Sequence, residues 1–141
     1  NMSKVISSGI LVKYNDRYVL GHVTGQSHFD IFKGRIEEGE TAIQAALREC
    51  SEESALIFEG SELTYLGHHN YTSKKNLEIF VTKIQDLSMS KLHCSTYCGP
   101  EQSHRLEMDF YSTFTFDEML NNVAKSMRRV LESLRTDIES Y

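Results

Sequence analysis

Cysteine is scarce in this sequence: Cys50, Cys94 and Cys98 form an odd set without framework spacing. That excludes a disulfide-stapled scaffold and favours a reducing, cytoplasmic setting. No uninterrupted apolar run approaches the ~20 residues that cross a bilayer, so no membrane span is expected. No basic segment followed by an apolar stretch marks a signal peptide. Basic charge is also short. A net charge of −5 leaves no basic stripe to displace counterions from duplex nucleic acid. A polyphosphate substrate stays compatible, provided divalent cations stand between it and an acidic site. Repeats, low-complexity tracts and interdomain linkers are missing. Asn1 ahead of Met2 reads as a tag remnant, so a single domain over residues 2–141 is expected.

What is present reads as strands, a helix, strands and a helix. Residues 5–13 and 18–23 are β-rich runs separated by the turn Asn15-Asp16-Arg17. Residues 63–70 and 77–84 are further strand candidates, separated by the polar stretch 72–76. Residues 86–103, which hold the only proline, Pro100, lack periodicity and read mostly as loop. Residues 110–116 alternate aromatic with small polar side chains, as a strand does. Thr41 to Gln44 and Thr115 to Glu118 each fit a capping box that starts a helix. In the second helix Met119, Val123, Met127, Val130 and Leu134 form a stripe suited to core packing.

Residues 34–56, GRIEEGETAIQAALRECSEESAL, carry the chemistry. On a helix turning about 100° per residue, Ala42, Ile43, Ala46, Leu47 and Cys50 make an apolar stripe. Glu49 and Glu53 fall within roughly 20° of Ala42, at the edge of that stripe and not opposite it. Together with Glu52 they place three carboxylates within five residues, where they repel one another and lose hydration. Arg48 sits four residues before Glu52 and pairs with it, but one guanidinium cannot neutralise three carboxylates. A hard divalent cation with oxygen ligands is the natural complement, and Mg²⁺ is commonly held by one or two carboxylates plus phosphates and water. A solvated acidic helix with ordinary ion pairs is the alternative from the helix alone.

The segment before the helix decides between them. Gly34, Glu40, Arg48, Glu49, Glu52 and Glu53 stand at the spacings of the Nudix box, with Cys50 and Leu56 at its apolar positions, and the chain resembles the Nudix (MutT-like) hydrolase family. The resemblance implies an α/β fold, an α/β/α sandwich around a mixed sheet. It also implies a Mg²⁺-dependent pyrophosphohydrolase, with Mn²⁺ able to substitute, acting on a small nucleotide-like substrate. It assigns Glu49, Glu52 and Glu53 as metal ligands, with Glu49 or Glu52 as base. The backbone carbonyl beside Gly34 is a further ligand, and Arg48 and Glu40 orient the carboxylates. One position departs: Ala55 stands where the family has glycine. A left-handed residue there would cost alanine roughly 1 kcal/mol without touching the carboxylates; alternatively the helix ends without that cap.

Outside the box, Lys33 and Arg35 add positive charge to the phosphate path or lie as solvated surface charges. Some family members use a further glutamate distant in sequence, for which Glu107 and Glu101 are candidates. Tyr71, near where the family's dinucleoside polyphosphate hydrolases carry a tyrosine, is a candidate substrate contact. With Phe29 and Phe32 it is a candidate to stack on a base or to fill the core. Cys94 and Cys98 with His93 and His104 make poor zinc spacing. Three functions follow: the pyrophosphohydrolase, an inactive nucleotide-binding module on the same fold, and an unrelated acidic domain for a protein partner. All box carboxylates are present, which favours the first. The substrate stays open among dinucleoside polyphosphates, sugar nucleotides, nucleoside triphosphates, capped RNA ends and inositol pyrophosphates.

Overall fold

Strands β1 (Val5–Tyr14) and β2 (Arg17–Val23) form a hairpin whose register closes at Tyr14 opposite Arg17. Asn15 takes the left-handed turn position at φ 55°, which asparagine tolerates. The computed structural model describes residues 4–99 and 104–141. Two short strands follow, β3 (Phe29–Asp30) and β4 (Phe32–Arg35), then helix α1 (Ala42–Ser54). Strands β5 (Thr64–Thr72), β6 (Lys75–Ile84) and β7 (Met108–Phe114) lead into helices α2 (Phe116–Asn122), α3 (Lys125–Ser133) and α4 (Arg135–Glu139).

The sheet is mixed. β1 runs parallel to β6 along its whole length and antiparallel to β4 and β2 on its other edge. Along that edge β1 changes partner, from β4 at residues 7–10 to β2 at residues 12–14, and β2 goes on to pair with β3 and β7. One face of the sheet packs Leu11, Leu20, Leu77 and Ile79 against Met119, Met127 and Leu131 of the C-terminal helices. The other packs Ile10, Val12, Phe32 and Phe80 against Ala46 and Cys50 of α1. This is the α/β/α sandwich expected.

Three local expectations are revised. The polar stretch 72–76 shrinks to a two-residue turn, because Thr72 pairs with Lys75 and the backbone ladder ignores side-chain polarity. The strand expected over residues 110–116 is β7, which runs from Met108 to Phe114, and Phe116 already opens α2. The expected C-terminal helix is divided into three. Val123 is extended, at φ −100° and ψ 166°, where it bridges Phe29, and Leu134 breaks the chain again at φ −107° and ψ 8°. The stripe still faces inward, since Met119, Met127, Val130 and Leu134 are all buried.

Both capping boxes form, at Thr41 with Gln44 and at Thr115 with Glu118. At the other end of α1, Ala55 adopts the left-handed cap at φ 71° and donates its N–H to Ser51. A left-handed alanine crowds its Cβ against the following carbonyl. Ala55→Gly is therefore expected to stabilise the fold by about 1 kcal/mol, seen as a raised midpoint in denaturant with an unchanged slope; a lowered midpoint would contradict the cap assignment.

Candidate active site

Arg48 organises the acidic helix. Its Nε and Nη2 donate to both oxygens of Glu40, at 2.7 and 2.9 Å. Its Nη1 donates to Glu49 at 2.9 Å and to Glu52 at 3.2 Å, and Nη2 also reaches the Arg35 carbonyl at 3.1 Å. A two-pronged guanidinium–carboxylate pair fixes direction as well as distance. It ties the turn before α1, through Glu40, to the helix face carrying Glu49 and Glu52. Hydrogen bonds from Arg48 and from the Glu37 backbone hold the Glu40 carboxyl down to about 2.

Gly34 lies on β4 against this face. A Cβ built on it would overlap the Glu49 carboxylate, so only glycine lets the strand and that carboxylate come so close. Burial pushes the Glu49 carboxyl upward, against the opposing pull of Arg48.

Glu53 is the most enclosed of the three, at 6% exposure. Its Oε1 accepts the Lys33 backbone N–H at 2.9 Å. Burial above all, and then the neighbouring Asp30, raises this carboxyl well above its ordinary range, with Lys33 acting against the shift. Lys33 itself is clamped: its Nζ lies 2.9 Å from Asp30 Oδ2 and 5.4 Å from the centre of the Tyr71 ring. Burial alone would favour the neutral amine, but Asp30, Tyr71 and Glu53 outweigh it and hold the ammonium charged. A Cβ on Gly9, opposite Lys33 on β1, would overlap the Lys33 Cβ, so this glycine too permits a close approach.

A cavity of about 400 Å³ opens beside these groups, lined by Asp30, Lys33, Gly34, Arg35, Glu53 and Glu107 together with Ser7 and Lys75. Lys33, Arg35, Glu107 and Glu53 therefore share one cavity, and Glu40, Arg48, Glu49 and Glu52 adjoin it through Gly34 and Arg35. Glu101 lies outside the described residues. Tyr71 is a core residue at 6% exposure, with one ring face beneath Lys33. It contributes from below the cavity instead of lining it. Phe32 is fully buried, and Phe29 packs edge-on against Phe114. The thiols of Cys94 and Cys98 donate to the carbonyls of Thr96 and Leu106, and His93 Nδ1 lies 3.3 Å from the Lys91 carbonyl.

Asp30, Ser7, Lys75 and Tyr111 escaped the sequence reading. Tyr111 donates its hydroxyl to the Glu53 carbonyl at 2.5 Å and steadies the end of α1. These residues come from four different strands, and no local pattern links them. Only the lysine three residues after Asp30 was a signal for that ion pair.

Among the described residues, no three Asp, Glu, His or Cys side chains converge as a ready cation cage; Arg48 draws Glu49 and Glu52 to itself. The donor set nevertheless fits a hard divalent ion. It is oxygen-rich, and two of its carboxyls are pushed upward by burial, a cost that a bound cation removes. Glu53, Glu49 and Glu52 would hold such an ion, with the main chain at Gly34 close enough to join them.

Comparison with known proteins places this geometry. A family model described as the NUDIX domain matches residues 6–134. No curated protein matches the sequence. Among solved structures, the chain resembles a C. elegans Ap4A hydrolase binary complex, with a TM-score of 0.71 and 16% identity over 96% of this chain and 99% of that one. It also resembles the NUDIX domain of Shewanella oneidensis NrtR complexed with ADP ribose, at 0.73 and 10% identity over 98% and 90%. A third is a bifunctional NMN adenylyltransferase/ADP ribose pyrophosphatase from Francisella tularensis, complexed with AMP and a Mn ion. It matches at 0.68 and 11% identity, over 96% of this chain and 42% of that one. At these identities the shared feature is the fold.

Proposed function

The chain belongs to the NUDIX domain family, and from that membership we propose that it is a Mg²⁺-dependent hydrolase of a diphosphate linkage in a nucleoside diphosphate derivative, with Mn²⁺ able to substitute. The observation that carries this reading is the enclosure of Glu53 at the wall of a cavity that also holds Lys33 and Arg35, with the Glu49 carboxylate packed against Gly34. Similarity to an Ap4A hydrolase, with the Lys33-Gly34 pair, favours dinucleoside polyphosphates as the substrate class.

The chemistry follows from charge. A diphosphate resists attack because its oxygens repel a nucleophile; when bound, a divalent ion screens that charge and lowers the pKa of a coordinated water. Glu53 and Glu49 bring negative oxygens to the cation side of the cavity. Arg48 holds Glu49 and Glu52 in fixed directions, so that one of them can accept the proton of the attacking water. Lys33, locked by Asp30, adds a fixed positive charge beside Glu53 without reaching into solvent. Water adds to one phosphorus in line as the other phosphoryl group leaves.

A panel of dinucleoside polyphosphates, sugar nucleotides and nucleoside triphosphates, incubated with Mg²⁺ in ¹⁸O-labelled water, tests this directly. One labelled oxygen in a single phosphorylated product is expected, with no turnover in chelator. Saturable binding of these compounds with no product under any metal would replace the hydrolase by a binding module.

A further inference from the structure

The cavity has a second end with different chemistry. Ser7 on β1 is 4% exposed and lines it, yet among the described residues its hydroxyl has no hydrogen-bond partner. The hydroxyl is not sealed in the protein interior; it faces the cavity, where a ligand or water can take its hydrogen bond. Arg35 stands directly opposite Ser7 on β4, and Lys75 stands opposite Val5 on β6. Side chains of paired residues share a face, as do those two apart on a strand. Arg35, Ser7 and Lys75 therefore form a band across one sheet face, and all three line the cavity. Lys33 is already paired with Asp30. By contrast, the side chains of Arg35 and Lys75 make no ion pair or hydrogen bond within the described residues. Two unpaired cations flanking an unpaired hydroxyl make a receptor for a phosphoryl group, which accepts several charge-assisted hydrogen bonds.

We propose that Arg35, Ser7 and Lys75 form an anion subsite that holds a phosphoryl group of the substrate other than the pair being cleaved. This rests on the hydrolase reading and narrows it: the preferred substrate carries three or more phosphoryl groups in a chain. The cleaved linkage lies at the carboxylate end, near Glu53, and the chain runs across the sheet floor to Lys75. Diphosphate-linked sugars leave the distal subsite empty and gain nothing from it.

The test is a ratio of specificities. For wild type, kcat/KM is measured with Mg²⁺ on a dinucleoside tetraphosphate and on a nucleoside diphosphate sugar. Lys75→Met and Ser7→Ala are each expected to lower the ratio of the first to the second by about tenfold, chiefly through KM, and Lys75→Arg to restore it. Lys75 is exposed and has no partner within the described residues, so Lys75→Met is expected to keep the wild-type thermal midpoint. An unchanged ratio in both variants overturns the subsite, as does equal loss on the two substrates. If wild type cleaves neither compound, the hydrolase reading falls by itself. Calorimetry with inorganic tripolyphosphate and Mg²⁺ then decides the subsite: binding weakened about tenfold by Lys75→Met supports it, and absent or unaffected binding overturns it.

Discussion

Replacing Glu53 with glutamine is expected to lower the hydrolysis rate by at least about a hundredfold, while the protein without metal becomes more stable. Both effects come from one fact, the burial of a carboxylate at 6% exposure next to Asp30 and Glu49. Glutamine keeps the shape and can still accept the Lys33 N–H, but it removes the charge that would hold a cation. It also relieves the desolvation and repulsion that raise the carboxyl, a gain of about 1 kcal/mol at neutral pH. The sign with pH follows. The folded chain holds this proton more tightly than the unfolded chain does. From the ordinary carboxylate range upward the folded state therefore binds more protons, and stability falls as pH rises towards the raised folded value. The glutamine variant lacks this slope. Denaturant melts of both proteins in chelator, from pH 4 to 8, check it. Normal turnover by the variant would remove Glu53 from the chemistry, and a stability loss at pH 8 would refute its description as a strained buried charge.

Gly34→Ala is expected to leave stability nearly unchanged and to have an equally large effect on rate. The three atoms nearest the added Cβ all belong to the far end of the Glu49 side chain. Gly34 lies on a strand and is not among the glycines with positive φ. The fold can absorb the methyl group by swinging the Glu49 carboxylate aside. That movement breaks the alignment Arg48 imposes, and a misplacement of about 1 Å costs on the order of a hundredfold in rate. The expected result is a thermal midpoint near wild type with kcat reduced about a hundredfold. A midpoint that collapses, or a kcat that stays put, would each show that Gly34 does not act by admitting Glu49.

Why some of this site could be seen in the sequence and some could not is a matter of distance along the chain. Glu49, Glu52 and Glu53 sit on one helix, where the helical turn alone relates their directions, and Glu40 lies one capping turn away. The enclosure of Glu53 followed from its angle to Ala46 and Cys50, both buried. Ser7, Arg35 and Lys75 are juxtaposed by the pairing of β1 with both β4 and β6, and register between distant strands leaves no trace in local periodicity. Short elements hid for the same reason: β3 has two residues and β4 four, too few for alternation to register. The C-terminal stripe showed the buried face of α2 to α4 but not the breaks, because Val123 leaves the helix to bridge Phe29, a contact distant in sequence. Tyr71 was weighed both as a substrate contact and as a core residue; its place beneath Lys33 depends on the order of one sheet, in which β1 and β6 stand between β4 and β5.

The helix geometry also explains why the Ala55 departure is tolerable. The left-handed cap is present at φ 71° with its hydrogen bond to Ser51 made. The penalty falls on the cap residue, which does not line the cavity, and is expected to weaken the fold slightly without displacing the carboxylates.

Crystals grown with Mn²⁺ and measured at the manganese absorption edge would decide the main point. An anomalous peak within coordination distance of a Glu53 oxygen, shared with Glu49 or Glu52 and bordered by the Gly34 main chain, is the predicted outcome. Crystals of a protein that still cleaves its diphosphate, saturated with Mn²⁺ yet showing the ion bound elsewhere and these three side chains untouched, would contradict it.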